Sequence, residues 1–290
     1  MDAKVTMGRI LFSLPVTERP DIVRQQIENI NYFCPGSLIC IHIAAGASAG
    51  RSEFEHSCDF ENVVINPYSY LFAPGAGMLH LHVSNFLHML ETGSEFDTVM
   101  LISADELLIK HGLSDHVSKH PIGAQTEVFD LATDWSVFRE DLLKTTAMQG
   151  FLSGVELPLY FGGQSEGQFF KRPIFSQLTR LFIANFPMAP CGFPIEEIVP
   201  STIAARHSFN GMDIVQPATL CDYCTRLVVT EEILAQVLSG KGSIFADRLP
   251  DRLRSPHIGT SVLKTVFSIK ISERMTARWD IRAHIRSLMT

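Results

Sequence analysis

The sequence predicts an α/β fold, a single domain with a mostly parallel central sheet and helices on both of its faces. Three observations carry that expectation. Runs at residues 9–14, 38–43, 63–65 and 98–102 are apolar almost throughout, as strands covered on both faces must be. The stretches between them place apolar residues at helical spacing, so strand and helix alternate. A chain of 290 residues with 46% hydrophobic and 19% charged side chains suits one large core and is far from a disordered composition.

The first strand, residues 9–14, is expected to end at Pro15, which has no N–H to give a ladder. Pro20-Asp21 opens a helix over residues 20–33, which carries Ile22, Val23, Ile27 and Ile30 at helical spacing. A second strand at 38–43 is released by the small-residue loop 44–50, and a third follows at 63–65. A long helix over 77–91 leads into the fourth strand, 98–102. In parallel sheets the ligand lies beyond the carboxyl ends of the strands. That rule gathers Leu14-Pro15-Val16, His42 and Ser103-Ala104-Asp105 around one crevice.

After residue 120 the pattern loosens. Gly162, Gly163 and Gly167 punctuate a polar stretch before a helix over 173–182, and a short strand is expected at 227–229. Thr230 reads as the N-cap of the helix that follows. The chain carries no internal repeat, low-complexity tract or linker, so the expected organisation is one domain over 1–264 and a basic helical tail over 265–290.

The net charge of −7 argues against a nucleic-acid partner, which requires a clustered basic surface. From Arg248 onward, however, nine Lys/Arg face three Asp/Glu. Lys270, Arg274, Arg278, Arg282 and Arg286 recur at every fourth residue, which on one helix makes a cationic stripe suited to an anionic membrane surface. No secretory leader and no run of about 18 apolar residues is seen, so a cytoplasmic protein with peripheral membrane contact is expected. Cys221-Asp222-Tyr223-Cys224 has no second pair to complete a zinc site.

Three groups of residues carry the chemistry. Glu197 follows Pro194-Ile195-Glu196 and precedes Thr202 by five positions; Arg226 and Arg248 come later, Arg248 closing Phe245-Ala246-Asp247-Arg248; Leu101-Ile102-Ser103-Ala104-Asp105 ends the fourth strand. Together with a partial match at His42-Ile43-Ala44 and with Gly167-Gln168-Phe169-Phe170, these resemble glycosyltransferase family 14, over about residues 8 to 250. That family comprises core-2/I-branching β-1,6-N-acetylglucosaminyltransferases and peptide xylosyltransferases. The resemblance implies a GT-A-like fold and an inverting reaction without a metal cofactor, from a UDP-sugar of the GlcNAc or xylose type to a glycan or lipid-linked acceptor. It places the general base at Glu197, the diphosphate contacts at Arg226 and Arg248, and donor contacts around Asp105, Ser103, His42 and Pro15. Ala44 stands where the family has an acid, and Arg248 where it has lysine.

The residue types fit that chemistry. A carboxylate can take the proton of an attacking hydroxyl, and two guanidiniums can hold a departing diphosphate. The chain has no Asp-x-Asp, the usual metal-holding motif of nucleotide-sugar enzymes; Asp59-Phe60-Glu61 is the nearest approach and precedes a strand. His80 and His82 point about 200° apart on a helix and read as structural. Glu127 and Glu166 fall where an acceptor sugar would sit, though their spacing selects neither. Two other readings stay open: a non-catalytic binder of nucleotide sugar or glycan, and a metal-dependent transferase using Asp105, or Asp59 and Glu61.

Overall fold

The computed structural model describes residues 8–17, 19–73, 77–128, 139–220, 228–240, 262–271 and 280–289. Its first hundred residues alternate as expected: β1 (Ile10–Val16), α1 (Pro20–Phe33), β2 (Leu38–Ile43), α2 (Arg51–Ser57), β3 (Val63–Ile65), α3 (Leu79–Glu91) and β4 (Thr98–Leu101). Beyond them come β5 (Glu106–Leu108), α4 (Leu113–Lys119), β6 (Ile122–Gly123), β7 (Glu127–Val128), α5 (Glu140–Leu143), α6 (Thr146–Val155), β8 (Phe161–Gly162) and β9 (Phe169–Lys171). Then follow α7 (Arg172–Asn185), α8 (Ile195–Phe209), β10 (Ile214–Val215), β11 (Thr219–Leu220), α9 (Glu231–Ser239) and β12 (Ser268–Lys270), with short helices at Val262–Thr265 and Ile281–Ser287.

The main sheet runs β10-β6-β9-β4-β1-β2-β3. Its strands are parallel except β9, which is antiparallel to both β4 and β6. Successive residues of β1 face opposite sides, as a pleated strand requires. Ile10, Phe12 and Leu14 pack with α1 and α4, whereas Leu11 joins the core under α3, α7 and α8. A third apolar cluster lies away from this sheet, where Leu107, Leu220, Val229, Ile233, Val237 and Ile269 meet. There β12 sits between β11 and β5, antiparallel to β5.

Several expectations change in detail. β1 does not stop at Pro15: the strand continues to Val16, with Pro15 opposite His42. Ser13 still accepts the Ile102 N–H on the β4 side, but two residues on β4 has ended, so Pro15 has no ladder donor to lose. α3 begins at Leu79 because Gly77 has φ +90°, and a side chain there would strike the Phe193 carbonyl. The strand expected at 227–229 lies partly outside the described residues, and Val229 forms only an isolated bridge. Thr230 caps α9 as expected, its hydroxyl accepting the Ile233 N–H.

The cationic stripe does not run along one helix. Lys270 belongs to strand β12, Arg274 and Arg278 lie outside the described residues, and the last helix carries only Arg282 and Arg286. That helix turns Ile281 and Ile285 into the third cluster. Among the described residues, no helix is long and apolar enough to cross a membrane.

Candidate functional site

The chain leaves β1 toward β2 on one side and returns to β4 on the other, so the strand order reverses between β1 and β4. Such a switch point opens a crevice at the carboxyl ends. A cavity of about 260 Å³ lies there, bounded by Pro15 and Thr17 at the end of β1 and by residues 101–106 at the end of β4 and beyond it. Met78, His82, Ser165, Glu166 and Lys270 close it. A larger cavity, about 570 Å³, opens at the amino ends of the same strands. Its Asp97 carboxylate is engaged by the Arg9 N–H, and it lies opposite the switch point.

Two buried polar clusters support the crevice. One lies between the sheet and α3. Ser13 Oγ is 2.9 Å from His82 Nδ1 and accepts from Asn85 Nδ2 at 3.1 Å; the same amide donates to the Cys40 carbonyl at 2.8 Å. Asn66 Nδ2 donates to Asn85 Oδ1 at 3.0 Å. His42 stands at its edge, where Nε2 accepts the Tyr70 N–H and the ring stacks on Tyr70. Burial, with a neighbouring histidine, pushes His42 down to about 4 and His82 down to about 3, so both rings are neutral at pH 7.

The other cluster is acidic. Glu106 opens β5 and is buried; Oε1 accepts the Ser103 N–H at 2.6 Å and Oε2 the Thr219 hydroxyl at 2.7 Å. Burial, reinforced by the charge of Glu166, pushes its carboxyl up to about 8. Gln26 of α1 braces the loop by donating to the carbonyls of Ser103 and Glu106. Glu166 is paired with Lys270, and the side chains are only 12% and 19% exposed, so this pair is withdrawn from water. Glu196 reaches the same edge from α8: its Oε2 accepts the Met78 N–H at 2.9 Å. Burial first, and Glu166 after it, push Glu196 up to about 7.

Of the site residues the sequence nominated, the fold brings Pro15, Ser103 and Asp105 together on the cavity wall. His42 does not reach it; it serves the neutral cluster behind. Glu197 does not line it either. Its carbonyl accepts the Gly163 N–H, which ties the first turn of α8 to the segment after β8. Thr202, the other end of that motif, is a brace: its hydroxyl accepts the Phe161 N–H and donates to the Ile198 carbonyl. Arg226, Arg248 and the Cys221–Cys224 pair lie outside the described residues. Asp59 and Glu61 precede β3, which is parallel to β2, so they sit at the amino edge, away from the crevice. Among the described residues, no three His, Cys, Asp or Glu side chains gather as a metal site.

Glu106, Lys270 and the crevice position of Glu166 were not selected by the sequence reading. Glu106 had one signal, an acid directly after Asp105 at a strand end. Lys270 had none, because its place depends on a strand pairing across most of the chain.

No protein-family model matches the chain, and no curated protein matches its sequence. Among solved structures it is similar to the galactosyltransferase LgtC in complex with donor and acceptor sugar analogs, at 10% identity, 97% of this chain, 95% of that chain and a TM-score of 0.43. It is also similar to an active-site mutant of LgtC, at 12% identity, 97% and 94% coverage and 0.44. A nucleoside-diphosphate-sugar pyrophosphorylase from Vibrio cholerae RC9 follows at 9% identity, 71% and 89% coverage and 0.42.

Proposed function

We propose that the chain is a GT-A-like glycosyltransferase that takes a sugar from a nucleoside diphosphate, inverts it and works without a divalent metal. The observation that carries the reading is the crevice itself. It lies at the switch point, it is walled by Ser103 and Asp105 from the segment that resembles family 14, and it holds carboxyls and an ammonium side by side. The resemblance supplies UDP-GlcNAc or UDP-xylose as donor and a glycan or lipid-linked acceptor.

In the proposed step the acceptor oxygen attacks the anomeric carbon from the face opposite the nucleotide. The bond to the diphosphate breaks with its electron pair going to the leaving oxygen, and the hydroxyl proton passes to a carboxylate. The motif puts that base at Glu197. Geometry favours its neighbour: Glu196 is fixed through one oxygen to Met78 at the crevice edge, and a carboxyl raised to about 7 suits a base at neutral pH. Arg226 and Arg248 remain proposed diphosphate contacts.

Turnover of UDP-sugars by Glu196→Gln and Glu197→Gln tests the assignment. Glu196→Gln should lose about 10²–10⁴-fold in rate with donor binding kept. The opposite ranking returns the base to Glu197, and two fully active variants defeat the pair. Activity abolished by EDTA and restored by manganese would defeat the metal-free step. Ala44, standing where the family has an acid, favours a second reading, a nucleotide-sugar binder without turnover. That reading requires UDP-sugar binding with no donor hydrolysis by the wild type.

A further inference from the structure

Among the described residues lining the crevice, Lys270 is the cation. It ends β12, whose antiparallel register sets it opposite Glu106, and its ammonium is paired with Glu166 across the cavity. Ser165 Oγ donates to the second oxygen of Glu166 at 3.1 Å. An ammonium on the crevice wall, held there by a carboxylate, is a group that an incoming anion can take over.

We propose that Lys270 holds the diphosphate of the donor, and that Glu166 keeps Lys270 in reserve until it arrives. The inference rests on the donor reading above. Binding exchanges one anion for another on the same ammonium, and the acidic cluster left behind takes one proton from solvent. An ammonium carries three donors on a flexible stem, so it can pass from carboxylate to phosphate with little movement. Once it does, Glu166 faces Glu106 and Glu196 without its cation, with Asp105 and the neutral His82 on the remaining wall. Adjacent carboxylates cannot all stay ionised, and they titrate as one coupled set, so the proton belongs to the cluster.

Calorimetric titration with UDP and with inorganic pyrophosphate, in buffers of different ionisation heat, tests this on the wild type and on Lys270→Met, Lys270→Arg and Glu166→Gln. Lys270→Met should weaken both ligands about tenfold to hundredfold, the loss of one charge-assisted contact. Lys270→Arg should restore most of that, which guards against a folding defect. Glu166→Gln should bind both more tightly and take up fewer protons than the wild type. UDP bound equally by the wild type and Lys270→Met overturns the inference and leaves the donor reading standing. No UDP binding by the wild type overturns the donor reading; pyrophosphate binding that still depends on Lys270 then supports the anion site alone, and its absence overturns both.

Discussion

Beneath one edge of the sheet lie two buried polar clusters that handle charge in opposite ways. Between the sheet and α3, Ser13, Asn66, Asn85, His42 and His82 are neutral and joined by hydrogen bonds. Across the crevice, Glu106, Glu166 and Glu196 crowd three acids around Lys270, and two of them are raised to about 8 and about 7. A satisfied neutral network stiffens a fold. Acids held near their titration point at neutral pH are instead the mark of groups that exchange protons. The first cluster holds the wall, and the second is placed to work.

The contrast can be broken most sharply at Asn85, whose amide binds three partners. Asn85→Leu removes the bonds to Ser13, the Cys40 carbonyl and Asn66, whose amide keeps Ser84 and His42, and should cost about 1–3 kcal/mol in urea unfolding, the range for a buried polar group left unsatisfied. Equal stability of the variant and the wild type would mean that the neutral cluster does not hold the wall.

The acidic side should show itself on the alkaline limb. The folded-state value of Glu106, about 8, lies above its ordinary 4.5, so stability is full below the ordinary value and drains as pH rises toward 8. Glu106→Gln should therefore gain on the wild type between about pH 5 and 8, by up to about 1.4 kcal/mol per pH unit. Parallel stability curves over that range would show that Glu106 titrates normally.

Histidine gives the mirror image. The folded value of His82, about 3, lies below its ordinary 6.5, so its contribution is present above 6.5 and lost as pH falls toward 3. His82→Gln should flatten this acid limb, read as the melting temperature between pH 6.5 and 4, and leave the part of the alkaline limb above pH 7 alone. A change there would show that the clusters titrate together.

Thr230→Ala, outside both clusters, removes the α9 cap and should cost about 1 kcal/mol without changing either limb. It separates general loss of stability from loss of a titrating group.

The half of the fold that could be read in advance is the half whose elements are long and local. α1 and β3 fall on their expected residues because Pro20, the Val23-Ile27-Ile30 face and an unbroken apolar run are signals within a few positions. β6, β8, β10 and β11 are two residues each, too short for any period, and are fixed by partners far away. The crevice divided along the same line. Pro15, Ser103 and Asp105 stand at ends of readable strands, while Glu166 and Lys270 meet only after residues 104 positions apart are joined. Glu197 was nominated by a motif, yet the carboxylate at the crevice edge belongs to the residue before it.

The pairing of β12 with β5 also fixes an order of events in time. β1, β2 and β3 pair in sequence order and Ile10 reaches forward to Thr98, whereas Ser268–Lys270 must close a longer loop reaching back to Glu106–Leu108 for a ladder of three residues. Loop closure is charged before such distant contacts reward it, so that ladder is expected to form late in refolding. A chain with its main sheet in place would then still hold Glu106, Glu166 and Glu196 without their ammonium. Binding competence would be the last property the molecule acquires, and diphosphate added to a refolding chain would act only on that final step.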